Sequence, residues 1–289
     1  MDITLALGAG GAKGNSHIGV LRQLEAHGFR IRAIAGTSFG GVVGAFYAAG
    51  YSIDELEEIF ARADQHHLYG RRPQDTASLY GLAGIEQWLI DGLGDRTFAD
   101  LKIPFAVVAV DLNSAHEVIL CEGRVRDAIL STIALPAIFS PFQVDGMELV
   151  DGGIFDPVPV SIARLLAPRL PVVAVALSKP IGEASRLPAF NLPIPEPIAQ
   201  QLTRLRIAQA FGVFMRSLDV SDRLLTDLRL KIDKPDVVIR PEVADIGLLD
   251  IVDIHEIAKR GEAAFETALP EIRRATSWPN RLSRRFVGD

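Results

Sequence analysis

Residues 31–50 of the chain read IRAIAGTSFGGVVGAFYAAG, and this stretch decides the fold. Residues 31–35 are mostly apolar, as in a short buried strand, and the glycine-rich residues 36–40 predict a turn. The rest of the stretch, up to Gly50, is almost wholly apolar and predicts a buried helix. A strand that turns directly into a helix is the repeating unit of a parallel α/β sheet.

The segments around this stretch repeat its rhythm. Residues 3–7 predict an apolar strand, the glycine-rich turn 8–14 follows it, and the next helix is expected to end at Gly28. Ser52 and Glu55 match a capping box that opens an amphipathic helix. Later strands are predicted at 105–110, 117–120, 171–177 and 237–239, and later helices at 125–133, 161–166, about 198–228 and 254–269. The order of these segments indicates an α/β fold with a largely parallel sheet.

No internal repeat and no linker divides the chain, so residues 1–275 are predicted to form a single domain. Residues 178–197 hold five prolines and are expected to be a loop. A long loop in a compact domain is commonly a lid or a binding element. Residues 276–289 are predicted to be a basic C-terminal tail.

The composition bounds the class of function. The 289 residues carry 30 basic and 36 acidic side chains, and this net charge of -6 argues against a general nucleic-acid binder. The one cysteine, Cys121, excludes a disulfide framework and any multi-cysteine metal site. Neither a basic leader nor an unbroken apolar span of about 20 residues is found, so we expect a soluble, cytoplasmic protein. Transient peripheral contact with an anionic membrane stays open, because the tail is basic.

The residues Gly36-Thr37-Ser38-Phe39-Gly40 match the G-x-S-x-G pattern of a nucleophile elbow. Glycines on both sides permit a sharp turn that exposes the serine oxygen, and the N-terminus of the following helix favours a developing negative charge there. The alternative is a glycine-rich packing turn whose serine only caps the helix. The context of strand, turn and helix favours a nucleophile at Ser38 over a cap.

The turn at residues 8–14 admits three interpretations. A dinucleotide-binding fingerprint would require a glycine where Lys13 stands, and an acidic residue at the end of the next strand that is missing. A Walker A loop would need its lysine between a glycine and a Ser or Thr, whereas Lys13 stands between Ala12 and Gly14. The remaining interpretation is a nest of backbone N–H groups that binds an anion, such as the oxyanion of an acyl transfer.

A general base for Ser38 is not evident among the histidines. The order Ser38, Asp151, His255 would fit an α/β-hydrolase, but His255 lies in an amphipathic helical pattern and is expected on its solvated face. His17 is expected to pack near the site, and the tandem His66-His67 has no metal-ligand spacing. The other candidate is Asp151, which precedes two glycines. It is either a base whose pKa is raised by desolvation or a turn former, and the residues alone leave both open.

Together, the three motifs resemble those of the patatin-like phospholipase family. The family carries a G-G-G-x-R/K-G loop after its first strand, then G-x-S-x-G, then D-G-G/A. The chain has GGAKG at 10–14, GTSFG at 36–40 and DGG at 151–153, in that order. The likeness covers about residues 3–178 and includes three supporting segments, at 17–21, 45–50 and 136–141.

The resemblance implies a three-layer α/β/α fold and a Ser–Asp dyad in place of a triad. In this dyad Ser38 is the nucleophile and Asp151 is the base that accepts its proton. The backbone amides of Gly10 and Gly11, with Ala12 next to them, are expected to form the oxyanion hole.

The supporting loop positions of the family are matched as well, with one departure. Lys13 stands where the family has Arg or Lys, and Gly36, Gly40 and Gly152 are expected to shape the loops around the dyad. Ala9 stands where the family often has a glycine, and an alanine tolerates fewer backbone angles, so the set of amides in the hole is left open.

The implied reaction is the hydrolysis of lipid acyl esters through an acyl-serine intermediate, with no metal and no cofactor. Phospholipids, lysophospholipids and other fatty-acyl esters are the expected substrates, and no nucleic-acid partner is expected. Two alternatives remain at this point: an acyltransferase on the same dyad, and a catalytically silent lipid-binding module. A silent module is expected to have lost Ser38 or Asp151, and both are present. The oligomeric state is left undefined.

Overall fold

One mixed sheet runs through the part of the chain that the structure describes. The structure, a computed structural model, describes residues 1–63, 68, 78–183 and 206–277. The strands are β1 (Asp2–Leu7), β2 (Arg30–Thr37), β3 (Phe105–Asp111), β4 (His116–Leu120), β5 (Phe142–Val144), β6 (Met147–Asp151), β7 (Val172–Val175) and β8 (Val237–Ile239). Their order in the sheet is β5-β6-β3-β2-β1-β7-β8, with β4 paired to β3. Strands β1, β2, β3, β7 and β8 are parallel, and β4, β5 and β6 form antiparallel pairs.

Helices cover both faces of this sheet, so the predicted layering is confirmed. They are α1 (Ser16–Ala26), α2 (Phe39–Ala49), α3 (Ile53–Arg62), α4 (Ala83–Leu93), α5 (Val125–Thr132), α6 (Val160–Leu166), α7 (Arg206–Asp233) and α8 (Ile254–Ala275). Short 3-10 helices occupy Gly11–Asn15, Phe98–Asp100 and Gly152–Ile154. None of the helices in the described ranges combines the length and the apolar character needed to cross a lipid bilayer.

The alternation of side chains along β1 explains the two layers. Leu5 and Leu7 belong to the larger core, which α1, α2, α3 and α8 complete. Ala6 belongs to a smaller core on the opposite face, together with Val160 and Ala163 of α6. The sheet is therefore buried on both faces at β1, as its continuous apolar sequence predicts.

Most of the predicted segments are confirmed with shifted ends. The helix predicted at 254–269 runs through Pro270 to Ala275, because the fully buried Ile272 holds its last turns on the core. Helix α4 and strands β5 and β6 have no counterpart among the predicted segments.

Four predictions lie wholly or partly outside the described residues. The loop predicted at 178–197 is described only up to residue 183, and the helix predicted from about 198 is described from Arg206. His66-His67 and the tail from residue 278 also lie outside the described ranges.

One edge of β3 brings two of the motifs together. Strand β4 pairs along one edge of β3, while β2 and β6 share the other edge from opposite ends. Thr37, the last residue of β2, is the partner of Val108, and Asp151, the last residue of β6, is the partner of Ala109. Ser38 and Asp151 therefore leave the sheet side by side, although 113 positions separate them in the sequence.

Candidate active site

Ser38 lies in a strained turn between β2 and α2. Its backbone angles are φ 53° and ψ -126°, in a region that residues with a Cβ seldom adopt. Gly40 makes the turn possible, because a Cβ there would lie 2.3 Å from the carbonyl oxygen of Leu7. The N–H of Ser38 donates to Thr132 Oγ1 at 2.9 Å, and Thr132 Oγ1 donates to Val108 O at 2.5 Å. Helix α5 and strand β3 thus fix the turn.

The hydroxyl of Ser38 and the carboxyl of Asp151 are directly hydrogen-bonded. Ser38 Oγ donates to Asp151 Oδ2 at 2.6 Å, and the other carboxyl oxygen, Oδ1, accepts the N–H of Gly153 at 2.8 Å. Burial raises the pKa of Asp151 to about 6, against the opposite effect of these two hydrogen bonds. A carboxylate with this pKa is mostly ionised at neutral pH and accepts a proton more readily than an exposed aspartate.

The glycine-rich loop after β1 places backbone N–H groups next to this pair. The loop lines the same cavity as Ser38. Within the described part of the chain, the N–H groups of Gly10 and Gly11 have no hydrogen-bond partner. The N–H of Ala12, expected beside them in the oxyanion hole, donates to Leu248 O at 2.9 Å. Because this N–H already has a partner, Ala12 is left out of the oxyanion hole proposed below.

The supporting positions adjoin the pair. Gly36 lies within β2, two residues before Ser38, and Gly152 follows Asp151 directly. Lys13 reaches from the glycine-rich loop towards α7, where its Nζ lies 3.8 Å from Asp219 Oδ1. This contact fits a lysine that anchors the loop.

Two aspartates of α7, Asp219 and Asp222, line the polar end of the cavity and were not identified from the sequence. Burial raises the pKa of Asp222 to about 7; Lys13 opposes the rise, and Asp219 and Asp151 add to it. Both residues lie far along the chain from the three motifs, so no local pattern marks them. The available signal was a pair of acids three apart on the otherwise apolar inner face of a helix.

The histidines that the structure describes take no part in the Ser38–Asp151 pair. His17 is buried in α1, and its Nε2 lies 2.9 Å from Gly8 O, so it packs under the glycine-rich loop as expected. Burial lowers its pKa to about 4. His255 lies on α8, and its Nδ1 is 2.6 Å from Glu57 Oε1, in a separate surface cluster. The expected position of His255 on a solvated helix face is confirmed.

A cavity of about 310 Å³ extends from Ser38 between the helices. Its walls are mostly apolar side chains from α2, α3, α4 and α7, among them Phe39, Phe60, Trp88, Met215 and Leu218. Its polar end holds Ser38, Asp151 and the glycine-rich loop. An apolar cavity with a few polar groups at one end suits a ligand with a long hydrocarbon part and one reactive polar group.

In the residues that the structure describes, no group of three or more His, Cys, Asp or Glu side chains is arranged to hold a metal ion.

Comparisons with known sequences agree with the motifs. A sequence model of the family described as patatin-like phospholipase matches residues 5–164, more than half of the chain. An uncharacterised NTE family protein of Mycobacterium tuberculosis is 38% identical over 162 residues, which cover 55% of this chain and 44% of that protein. Lysophospholipase NTE1 of Mycosarcoma maydis is 29% identical over 183 residues, covering 58% of this chain and 9% of that protein. The chain spans less than half the length of these curated relatives.

A comparison with solved structures concerns the fold. The crystal structure of VipD from Legionella pneumophila aligns with 93% of this chain and 66% of its own, with a TM-score of 0.52 and 13% identity. At this identity the likeness supports only the mixed sheet with helices on both sides. The family match covers more than half of the chain and includes both Ser38 and Asp151. The chain therefore belongs to the patatin-like phospholipase family, a family of ester hydrolases.

Proposed function

We propose that the chain is a serine lipid acyl hydrolase that works with a Ser38–Asp151 dyad. The observation that carries the proposal is the 2.6 Å hydrogen bond from Ser38 Oγ to Asp151 Oδ2 at the polar end of an apolar cavity. The raised pKa of the Asp151 carboxyl supports its role as the base, because an ordinary carboxylate is a weak acceptor for a hydroxyl proton.

The proposed reaction has two steps, acylation of Ser38 and hydrolysis of the acyl-serine. In the first, Ser38 Oγ bonds to the ester carbonyl carbon, and Asp151 takes the Ser38 proton. The C–O bond to the alcohol then breaks, and Asp151 passes the proton to the leaving oxygen. In the second, a water molecule gives a proton to Asp151 and attacks the acyl-serine, which releases the fatty acid and returns the proton to Ser38.

The oxyanion of both steps is assigned to the N–H groups of Gly10 and Gly11. Their support is that they line the cavity of Ser38 and have no partner among the described residues. The N-terminus of α2, which follows Ser38 directly, adds a favourable field for negative charge at the same place. Removing one such donor typically costs about 3–4 kcal/mol of transition-state stabilisation.

A lipid ester is the proposed class of substrate. The apolar cavity walls suit a fatty-acyl chain, and the names of several relatives contain lysophospholipase or phospholipase. Neither the headgroup nor the chain length is part of the proposal.

The decisive experiment compares wild type, Ser38→Ala and Asp151→Asn on p-nitrophenyl butyrate and on a lysophospholipid. We expect kcat to fall roughly a thousandfold or more for Ser38→Ala and roughly a hundredfold or more for Asp151→Asn. Ser217→Ala, which alters an exposed serine of α7, is the matched control and should keep wild-type activity. A fluorophosphonate probe should label wild type and Ser217→Ala but not Ser38→Ala.

Two results would contradict the proposal. Equal turnover by wild type and folded Ser38→Ala would place the reaction elsewhere. A folded wild type that turns over neither ester and resists the probe would make the chain a silent lipid-binding module.

A further inference from the structure

Helix α7 carries an apolar stripe on its outer face. The described part of the chain exposes 14 large apolar side chains, and six of them belong to this one helix. Five of the six, each 43–68% exposed, recur at intervals of four or seven residues and therefore share one face. They are Val213, Val220, Leu224, Leu228 and Ile232. Such a concentration differs from the scattered exposed apolar residues of an ordinary surface.

On α7 the exposed charged side chains are basic, and the acidic side chains are half-buried. Between residues 210 and 233, the exposed charged side chains are Arg216 and Lys231. The four aspartates of the helix are half-buried, and two of them pair inward, Asp219 with Lys13 and Asp227 with Arg240. The outer face of α7 thus combines apolar residues with positive charge alone.

The neighbouring segment 179–183 extends the stripe. Ile181 is 53% exposed, and its N–H donates to Asp227 Oδ2, which places it against α7. Glu183, also exposed, is the acid on this side; its carbonyl oxygen accepts from Arg223 Nη2.

Helix α8 provides an internal comparison. It is the other long helix of the described chain, and its outer face is mainly charged. Its exposed charged residues are Glu256, Lys259, Glu266, Glu271, Arg273 and Arg274. An apolar outer face is therefore a particular property of α7 and not of long helices in this chain.

The stripe lies on a helix that also lines the cavity. Met215, Leu218 and Asp222, on the inner face of α7, line the cavity, and Arg216 and Ser221 line it from the exposed flanks of the same helix. One helix thus carries part of the cavity wall on its inner side and the apolar stripe on its outer side.

We propose that this outer face of α7, with Ile181, is the surface by which the protein lies on a membrane that contains anionic lipid. Apolar residues enter the boundary between headgroups and acyl chains, while Arg216 and Lys231 meet the lipid phosphates. The inference rests on the proposed function, because a lipid ester would pass from the bilayer into the adjoining cavity. A second copy of the chain suits the face less well, because pairing would bring together two α7 faces whose exposed charges, Arg216 and Lys231, are both positive.

Vesicle sedimentation tests the proposal with the double variant Val220→Glu, Leu224→Glu. We expect its partitioning onto phosphatidylcholine vesicles with one-third phosphatidylserine to fall roughly tenfold or more. The matched control, Leu112→Glu with Leu165→Glu, alters two exposed leucines outside the stripe and should bind as wild type does. Lys231→Glu should weaken binding several-fold, and 0.5 M NaCl should weaken wild-type binding.

Catalytic readouts separate this inference from the proposed function. The stripe variant should turn over soluble p-nitrophenyl butyrate as wild type does, and it should lose activity on lysophospholipid in vesicles. Ser38→Ala should bind vesicles like wild type without turning over either ester. Unchanged vesicle binding by the stripe variant would overturn the membrane surface, whatever Ser38→Ala does. A wild-type dimer that this variant converts to a monomer, with vesicle binding unchanged, would identify the face as a subunit interface instead.

Discussion

At the scale of single residues, Asp151 makes both the contact expected of a turn former and the contact that the proposed base requires. Its Oδ1 accepts the N–H of Gly153, which is the hydrogen bond of an Asp-Gly turn, and its Oδ2 accepts the hydroxyl of Ser38. The turn aims one oxygen at the backbone and leaves the other for the serine. The two interpretations are therefore compatible, because a different carboxyl oxygen makes each contact.

The pH dependence of turnover follows from the raised pKa of Asp151. The proposed base must be ionised, so kcat/KM for p-nitrophenyl butyrate should rise with pH and level off above an inflection near 6. Asp95→Asn, which alters an exposed aspartate, should keep this profile. An inflection near 4, typical of an aspartate in water, would contradict a desolvated base.

Sequence patterns found Ser38 and Asp151 but not the side chains around them. Ser38 and Asp151 stand in short motifs, because glycines must flank them for the chain to turn. Thr132, which accepts the N–H of Ser38, and Asp222, at the polar end of the cavity, stand in no motif. Their positions depend on how α5 and α7 pack, and packing leaves no local mark in a sequence.

At the scale of elements, α1 and α8 approach each other through two glycines. A Cβ at Gly19 would lie 1.8 Å from Ala258 O, and a Cβ at Gly261 would lie 1.9 Å from Ser16 O. These contacts are between backbones, so neither helix has room for any side chain at the crossing.

A matched pair of glycine substitutions tests this crossing. Gly261→Ala should lower the free energy of unfolding by roughly 1–3 kcal/mol, because the methyl group forces the helices apart. Gly212→Ala, in α7, has no atom within 4 Å of the new Cβ and should raise that free energy by up to about 1 kcal/mol through helix propensity. Urea unfolding measures both. A destabilisation of equal size in the two variants would show that helix crossing is not the cause.

Element boundaries were predictable where the pattern was local. The capping box of Ser52 and Glu55 begins α3 as predicted. The hairpin of β5 and β6 also has a local pattern in the sequence. Asp145-Gly146 is a typical two-residue hairpin turn, and both residues have positive φ. Helix α8 continues past Pro270 because Ile272 is buried. A proline in the sequence predicts the end of a helix and gives no sign of that burial.

At the scale of the whole molecule, the region beyond the family match completes the site. The family match ends at residue 164, yet α7 and the loop before α8 line the cavity. A buried ionic contact ties this region to the sheet. The guanidinium of Arg229, in α7, lies 3.2 Å from Asp156 Oδ2 and 3.2 Å from Glu117 Oε1. The carbonyl oxygen of Asp156 in turn accepts a hydrogen bond from Thr37 Oγ1, next to Ser38.

The burial of Asp156 should make stability depend on pH, against the opposing effect of Arg229. Burial raises the pKa of Asp156 to about 7, so the folded chain keeps a proton that the unfolded chain has lost between about pH 4 and 7. The contribution of Asp156 to the free energy of unfolding therefore falls as pH rises through this window. Relative to wild type, Asp156→Asn should gain stability between pH 5 and pH 8 in urea unfolding. A difference that stays constant over this range, as expected for Asp95→Asn, would contradict the buried-carboxyl account.

The meeting of β2 and β6 on one edge of β3 also sets when the Ser38–Asp151 pair can form. During synthesis Ser38 is present long before residue 151 exists, and the two meet only after both strands have paired with β3. A slip of β6 by one residue would turn the Asp151 side chain to the opposite face of the sheet. On the proposed mechanism, a nascent or misfolded chain therefore carries the serine without its base. The proposed activity would therefore begin only when the sheet is complete.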